Sequence, residues 1–429
     1  MLPSIFTLGV VALSTVRVVE AQDSTPDRTS AAGEASIKDP DQECEAYRYQ
    51  PVADALASFP SIWQQASILP GDTNAATKWA AIQPNVPDIA PKGTPQGDFS
   101  GMSYGSDDPD CWWTVSKCTN PKVDNVPADV SVMPEPRTLG YGFDDGPNCS
   151  HNAFYDYLAQ QNQKATMFFI GSNVMDWPLE AARAVNDGHE VCIHSWSHNY
   201  MTALQSEDAF AELYYSVSLE AVRLATGATP TCWRPPFGDV DDRIRAIANG
   251  LGLRTVLWQY DSQDWQVGVT EGVTSDSVDQ EYQNMIDDAK KGLFDTVGTM
   301  ILMHELNDFT MQEAIKYYPK LKEAFDHIVP VAVGMNITHP YIETSFTMPS
   351  FAQYIAGTGA TLAANSTSSA GTTTASSTTG SSGTASGGVA VESTKTGDAS
   401  RASGSAGIQM VAALVLGVAC AAVVGLLPS

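Results

Sequence analysis

The chain has 429 residues and carries 49 Asp and Glu against 23 Lys and Arg, a formal net charge of −26. So acidic a surface excludes nucleic acid as a partner, because phosphate binding needs a basic face. Acidity of this kind also serves solubility in secreted proteins.

Residues 1–21 read as a signal peptide: 5–13 are apolar and Val19-Glu20-Ala21 offers a small-residue cleavage site. Residues 22–135 are rich in Pro, Asp and Gly, with Trp63, Trp79, Trp112 and Trp113 among them. Indoles and cysteines are wasted in a free linker, so this segment is expected to pack partly on the main domain. Packing is preferred over a carbohydrate platform for the tryptophans.

Residues 136–335 alternate short apolar runs with helical patterns, enough for one sizeable core. Strands are expected at 139–143, 166–170, 190–194, 231–234, 254–258, 299–303 and 328–331. The clearest helices are expected at 153–161, 207–225, 241–249 and 310–326. This repetition implies an α/β fold with a parallel sheet, and seven or eight units favour closure into a (β/α) barrel. The polar clusters fall at or just beyond the C-terminal ends of strands, the face on which barrel loops build active sites.

The first cluster is FDDGP, in which Asp144 and Asp145 end a strand. Adjacent side chains at a strand end point in different directions, so one carboxylate can bind a metal while the other stays free as a base. In HSWSH, His194 and His198 are four apart, which on a helical turn places both imidazoles on one side. Two histidines and one carboxylate make an open site for zinc or another divalent first-row metal. His304 adds an acid further on. His189, His327 and His339 lack such context, and His151 is at most a rim residue.

Residues 336–363 form a C-terminal extension. Residues 364–406 are Ser, Thr, Gly and Ala, an O-glycosylated stalk, and 407–429 are nearly all apolar. Two readings of that tail compete. A retained transmembrane anchor normally shows basic residues on its cytoplasmic side, and here the sequence given has none after the apolar run. The preferred reading is a removable GPI signal, with attachment at Asp398, Ser400, Ser403 or Gly404. Sequons at Asn148, Asn336 and Asn365 agree with a secretory route, Asn148 being the least favoured because it lies beside the acidic pair. Setting Cys420 aside with the tail leaves Cys44, Cys111, Cys118, Cys149, Cys192 and Cys232. Three disulfides are expected, with Cys111 and Cys118 near enough for a local loop and the connectivity otherwise open.

At this point the chain resembles the NodB-type polysaccharide deacetylases of carbohydrate esterase family 4. Five motifs match in order: FDDGP, HSWSH, RPPFG from Arg234, DSQDW from Asp261 and ILMH ending at His304. With its signal, stalk and GPI-like tail it is similar to the fungal chitin deacetylases in particular. The resemblance implies a distorted (β/α) barrel and one divalent ion, Zn²⁺ or Co²⁺, held by Asp145, His194 and His198. It implies that Asp144 is the base, oriented and kept ionised by Arg234, and that the oxyanion meets the backbone N–H of Phe237. His304 is then the acid, partnered by Asp264 with Asp261 the second choice, and Trp265 and Leu302 wall an acetyl pocket. Gly142 departs from the family's usual Thr, with little effect expected because the position is not a ligand. The segment before Pro134 lies outside the resemblance.

The expected function is removal of N-acetyl groups from chitin, giving chitosan and acetate, by a secreted protein GPI-anchored at the outer face of the plasma membrane or in the wall, with no protein partner implied. Alternatives are the same chemistry on peptidoglycan, chitin oligomers or acetylxylan, and a catalytically silent wall mannoprotein. The last would have lost a ligand or base, and none is lost here.

Overall fold

The computed structural model describes residues 27–358, apart from 218–220 and the side chain of Val217. The expected signal peptide, the expected stalk with Asn365 and the four attachment candidates, and the apolar tail lie outside the described residues. Among the described residues no helix is long and apolar enough to cross a membrane.

All seven expected strand regions hold a strand, and one of them is broken. The first is divided at Tyr141 into β1 (Thr138–Gly140) and β2 (Gly142–Gly146). Then follow β3 (Thr166–Phe169), β4 (Glu190–Ile193) and β5 (Cys232–Trp233). The fifth expected region, 254–258, holds only β6 (Arg254–Thr255), and β7 (Tyr260–Asp261) lies just beyond it, before β8 (Thr299–Leu302) and β9 (His327–Val329). Every ladder is parallel. One sheet runs β7-β8-β1-β9 and the other β2-β3-β4-β5-β6.

The segments 138–146 and 254–261 each belong to both sheets, which makes the fold a distorted barrel rather than two separate layers. Tyr141 marks the handover: its N–H donates to Val329 O at 2.9 Å and its carbonyl accepts from Thr166 N at 2.9 Å. Strands covered on both faces read as continuous apolar runs, and every residue of β3, β4 and β8 is buried.

Helices occupy Asn152–Gln160, Ser206–Val217, Ala221–Thr226, Asp242–Gly250 and Asp308–Ala324, close to the expected segments. Pro178–Asn186 and Ser275–Lys290 fill two further crossovers. Side-chain caps set some of these starts. Asp241 accepts from Ile244 N, and Asn307 with Thr310 forms a reciprocal capping box that begins the long helix two residues earlier than expected.

The N-terminal segment clasps the barrel. Phe59 stacks on Trp196, Trp79 packs on Phe210, and Trp112 Nε1 donates to the buried Asp239 at 2.8 Å. Lys92, itself buried, pairs with Asp241 and Asp110. Burying such a charge is tolerable only because it is matched. Trp79, Trp112 and Trp113 are therefore core, whereas Trp63 stays partly exposed with its Nε1 on Asp176.

Three disulfides resolve the cysteine pairing as Cys44–Cys149, Cys111–Cys118 and Cys192–Cys232. The first ties the clasp to the loop after β2, and the third joins β4 to β5 just before His194 and Arg234. The extension after 335 also packs on the barrel, with Tyr341 buried and its hydroxyl accepting from Val191 N at 2.8 Å.

Candidate active site

Asp144 and Asp145 leave β2 in different directions because Asp145 adopts a left-handed φ of 71°. Such a conformation is costly for a residue with a Cβ and is found where function requires it. Asn173 supports it by donating Nδ2 to Asp145 O at 2.7 Å. Asp144 is turned inward and buried, with Oδ1 2.7 Å from Arg234 Nη1, itself buried.

His194 and His198 are brought together by a route other than the expected helical turn. Residues 194–198 form a non-helical bend in which Ser195 and His198 have φ values of 60° and 58°. Ser195 Oγ accepts from His198 N at 3.0 Å, and the imidazoles lie 4.9 Å apart. The bend is organised by Glu212, a residue that the motifs do not contain. Its carboxylate accepts from Trp196 N at 3.0 Å, Ser197 N at 2.9 Å, Ser197 Oγ at 2.6 Å and Ala66 N at 2.8 Å. An acid on the apolar face of the helix Ser206–Val217 was the available signal for it.

Asp145 Oδ1 is buried without a hydrogen bond, although His198 Nε2 is 3.1 Å and His194 Nε2 3.5 Å away. Burial pushes the Asp145 carboxyl up, but the nearby imidazoles outweigh it and hold the group well below the usual carboxylate range. His194 Nδ1 lies 2.7 Å from Arg234 O; only a protonated Nδ1 satisfies that carbonyl, which leaves the Nε2 lone pair for the site. An orphaned carboxylate oxygen facing two ring nitrogens fits a divalent cation. Two other clusters of potential ligands among the described residues include disulfide-bonded cysteines, which cannot ligate as thiolates.

His304 follows β8. Its Nδ1 is 2.6 Å from Asp264 Oδ1, and its backbone N–H donates to Asp264 Oδ2 at 3.1 Å. Burial alone would lower its pKa. The charge and hydrogen bond of Asp264, aided by Asp145 and Asp144, push it up instead to about 10. Asp261 instead accepts from Gln263 N at 2.8 Å.

Phe237 has a left-handed φ of 58° after two prolines, which have no N–H, and its own N–H makes no hydrogen bond among the described residues. Its ring stacks on Tyr200 at 4.0 Å. Phe237, Trp265 and Leu302 line one cleft of about 1180 Å³ together with Asp144, Asp145, His194, His198 and His304.

Other residues stand apart from this group. His151 is buried rather than at the rim, stacked on Tyr155 with Nδ1 2.7 Å from Glu305. His189 is buried and accepts from Ala165 N. Asn148 donates its side-chain amide to Leu306 O at 2.7 Å, while Asn336 accepts from Phe351 N at 3.1 Å. A Cβ at Gly142 would lie 3.0 Å from Thr166 O and 3.1 Å from Phe168, so a side chain there requires its neighbours to shift.

A family profile described as polysaccharide deacetylase matches residues 132–256. The chain is 52% identical over 334 residues to chitin deacetylase 2 of Cryptococcus neoformans var. grubii, covering 77% of this chain and 73% of that protein. It is 43% identical over 321 residues to chitin deacetylase of Amylomyces rouxii, covering 72% and 74%. Likeness of that length exceeds the central domain, so it takes in flanking sequence that the five motifs do not reach. The solved chitin deacetylase of Colletotrichum lindemuthianum is 22% identical, covers 48% of this chain and 89% of its own, and superposes with a TM-score of 0.43.

Proposed function

Because this chain belongs to the polysaccharide deacetylases, we propose that it hydrolyses the N-acetyl groups of chitin, an N-acetylglucosamine polymer, to give chitosan and acetate. The observation that carries this reading is the meeting of three preformed parts in one cleft: the Asp145–His194–His198 cluster, the Asp144–Arg234 pair and the His304–Asp264 pair.

Asp145, His194 and His198 would hold the ion, and their mixed imidazole and carboxylate donors suit Zn²⁺ or Co²⁺. When bound, it supplies a Lewis acid for the acetamide carbonyl and an acidified water. Asp144 accepts the water's proton as the new C–O bond forms, and Arg234 fixes which carboxylate oxygen is free to do so. The N–H of Phe237 is the available donor for the oxyanion. His304, with Nδ1 committed to Asp264, gives the proton from Nε2 to the nitrogen as the C–N bond breaks, because an amine leaves readily only when protonated. Trp265 and Leu302 wall the space for the acetyl methyl.

We also place the protein outside the cell, exported through 1–21 and held by a GPI lipid near 398–404 at the membrane face or in the wall. The small-residue and apolar pattern of the tail supports this. The test of the activity is acetate release by the purified ectodomain, with and without chelator, from chitin oligomers, peptidoglycan and acetylxylan side by side. Release from acetylxylan or peptidoglycan with none from chitin oligomers would move the assignment to that glycan.

A further inference from the structure

The cleft continues past the catalytic groups, and one of its walls comes from the N-terminal clasp rather than the barrel. Trp113, Lys117 and Thr119 line it on that side, and the largely exposed aliphatic side chains of Val269 and Leu293 line the same cleft. Lys117 is the only lysine or arginine among the described residues lining the cleft. It is held in place from both directions. Its backbone takes a left-handed φ of 55° with N–H on Trp113 O, inside the loop closed by Cys111–Cys118. Its Nζ sits 3.5 Å over the Trp113 ring and forms no ion pair among the described residues.

The acids of the cleft are not equivalent. Asp144 is neutralised by Arg234, and Asp145 faces two imidazoles. Asp261 has no cation within ion-pair distance among the described residues. Left alone, such an acid would hold the ammonium of a deacetylated sugar. Lys117 opposes that. Lys117 and Asp261 line the same cleft, and while burial lowers the Lys117 pKa the Asp261 carboxylate acts on it in the other direction.

We propose that Lys117 is a specificity-determining residue that offsets Asp261 and disfavours a free-amine sugar in the cleft, so that N-acetylated runs of the polymer are bound in preference to already deacetylated ones. This rests on the chitin reading above, and acetate release from an N-acetylglucosamine pentamer tests that reading separately. Calorimetric binding of a glucosamine pentamer tests the proposal without turnover. Lys117→Met keeps the stem over Trp113 and removes the charge. It is expected to bind the glucosamine pentamer roughly fivefold more tightly relative to the acetylated pentamer, the scale of one solvent-exposed charge contact. The difference should shrink at high salt, and Lys117→Arg should restore the wild-type ratio. An unchanged ratio in Lys117→Met at low salt, with thermal unfolding as in the wild type, overturns the proposal even where acetate is released normally.

Discussion

Asp144 and His304 are backbone partners across neighbouring parallel strand ends: Asp144 N donates to Met303 O at 2.9 Å, and Glu305 N donates to Asp144 O at 2.8 Å. The proposed base and acid are thus fixed to each other by an isolated parallel bridge between the two sheets rather than by flexible loops. Each also has its own buried partner, Arg234 and Asp264 respectively. Positioning on rigid elements is what keeps catalytic groups within a productive geometry.

The two adjacent aspartates should separate cleanly. Asp144→Asn is expected to retain metal and substrate binding but to lose at least about a hundredfold in turnover. Asp145→Asn should lower metal content and recover partly with excess metal. Metal analysis and turnover on both variants check this, and a metal-free Asp144→Asn beside a normally loaded Asp145→Asn would reverse the roles.

Chelation should abolish acetate release, and added Zn²⁺ or Co²⁺ should restore it, since three protein ligands leave an exchangeable ion. Full activity in a preparation shown to be free of metal would sink the mechanism.

Asp264→Asn removes the main support of the His304 proton. The folded pKa near 10 lies above the ordinary histidine value of 6.5, so the stability it contributes is complete below about 6.5 and is lost as pH rises through about 10. The variant should move the alkaline limb of the pH–rate profile down by at least about one unit and lose alkaline stability less steeply than the wild type. An alkaline limb that stays where it was would assign it to another group.

Glu212→Gln should disturb the His194–His198 bend, because the carboxylate accepts four hydrogen bonds that an amide cannot all accept. Metal affinity is expected to fall by about 10- to 100-fold. Metal titration of the variant checks this, and an unchanged affinity would show that the bend holds without the carboxylate.

The motif residues were legible in the sequence because chemistry constrains residue type and spacing. Acids at one strand end, imidazoles four apart and a later histidine point to a metal-assisted hydrolase wherever the chain places them, and apolar periodicity is enough to locate strands buried on both faces. Tertiary structure decided what periodicity does not encode. The His194–His198 bend runs through left-handed residues rather than a helical turn because Glu212, distant in sequence, satisfies its backbone donors. Asp264, the first choice of the family resemblance over Asp261, reaches His304 from the short turn that follows β7, a placement that depends on the fold. The pairing of Cys44 with Cys149 and the entry of Lys117 into the cleft likewise depend on how the clasp folds back over the barrel. Contacts between distant segments are set by the packing of the whole chain, and no local pattern records them.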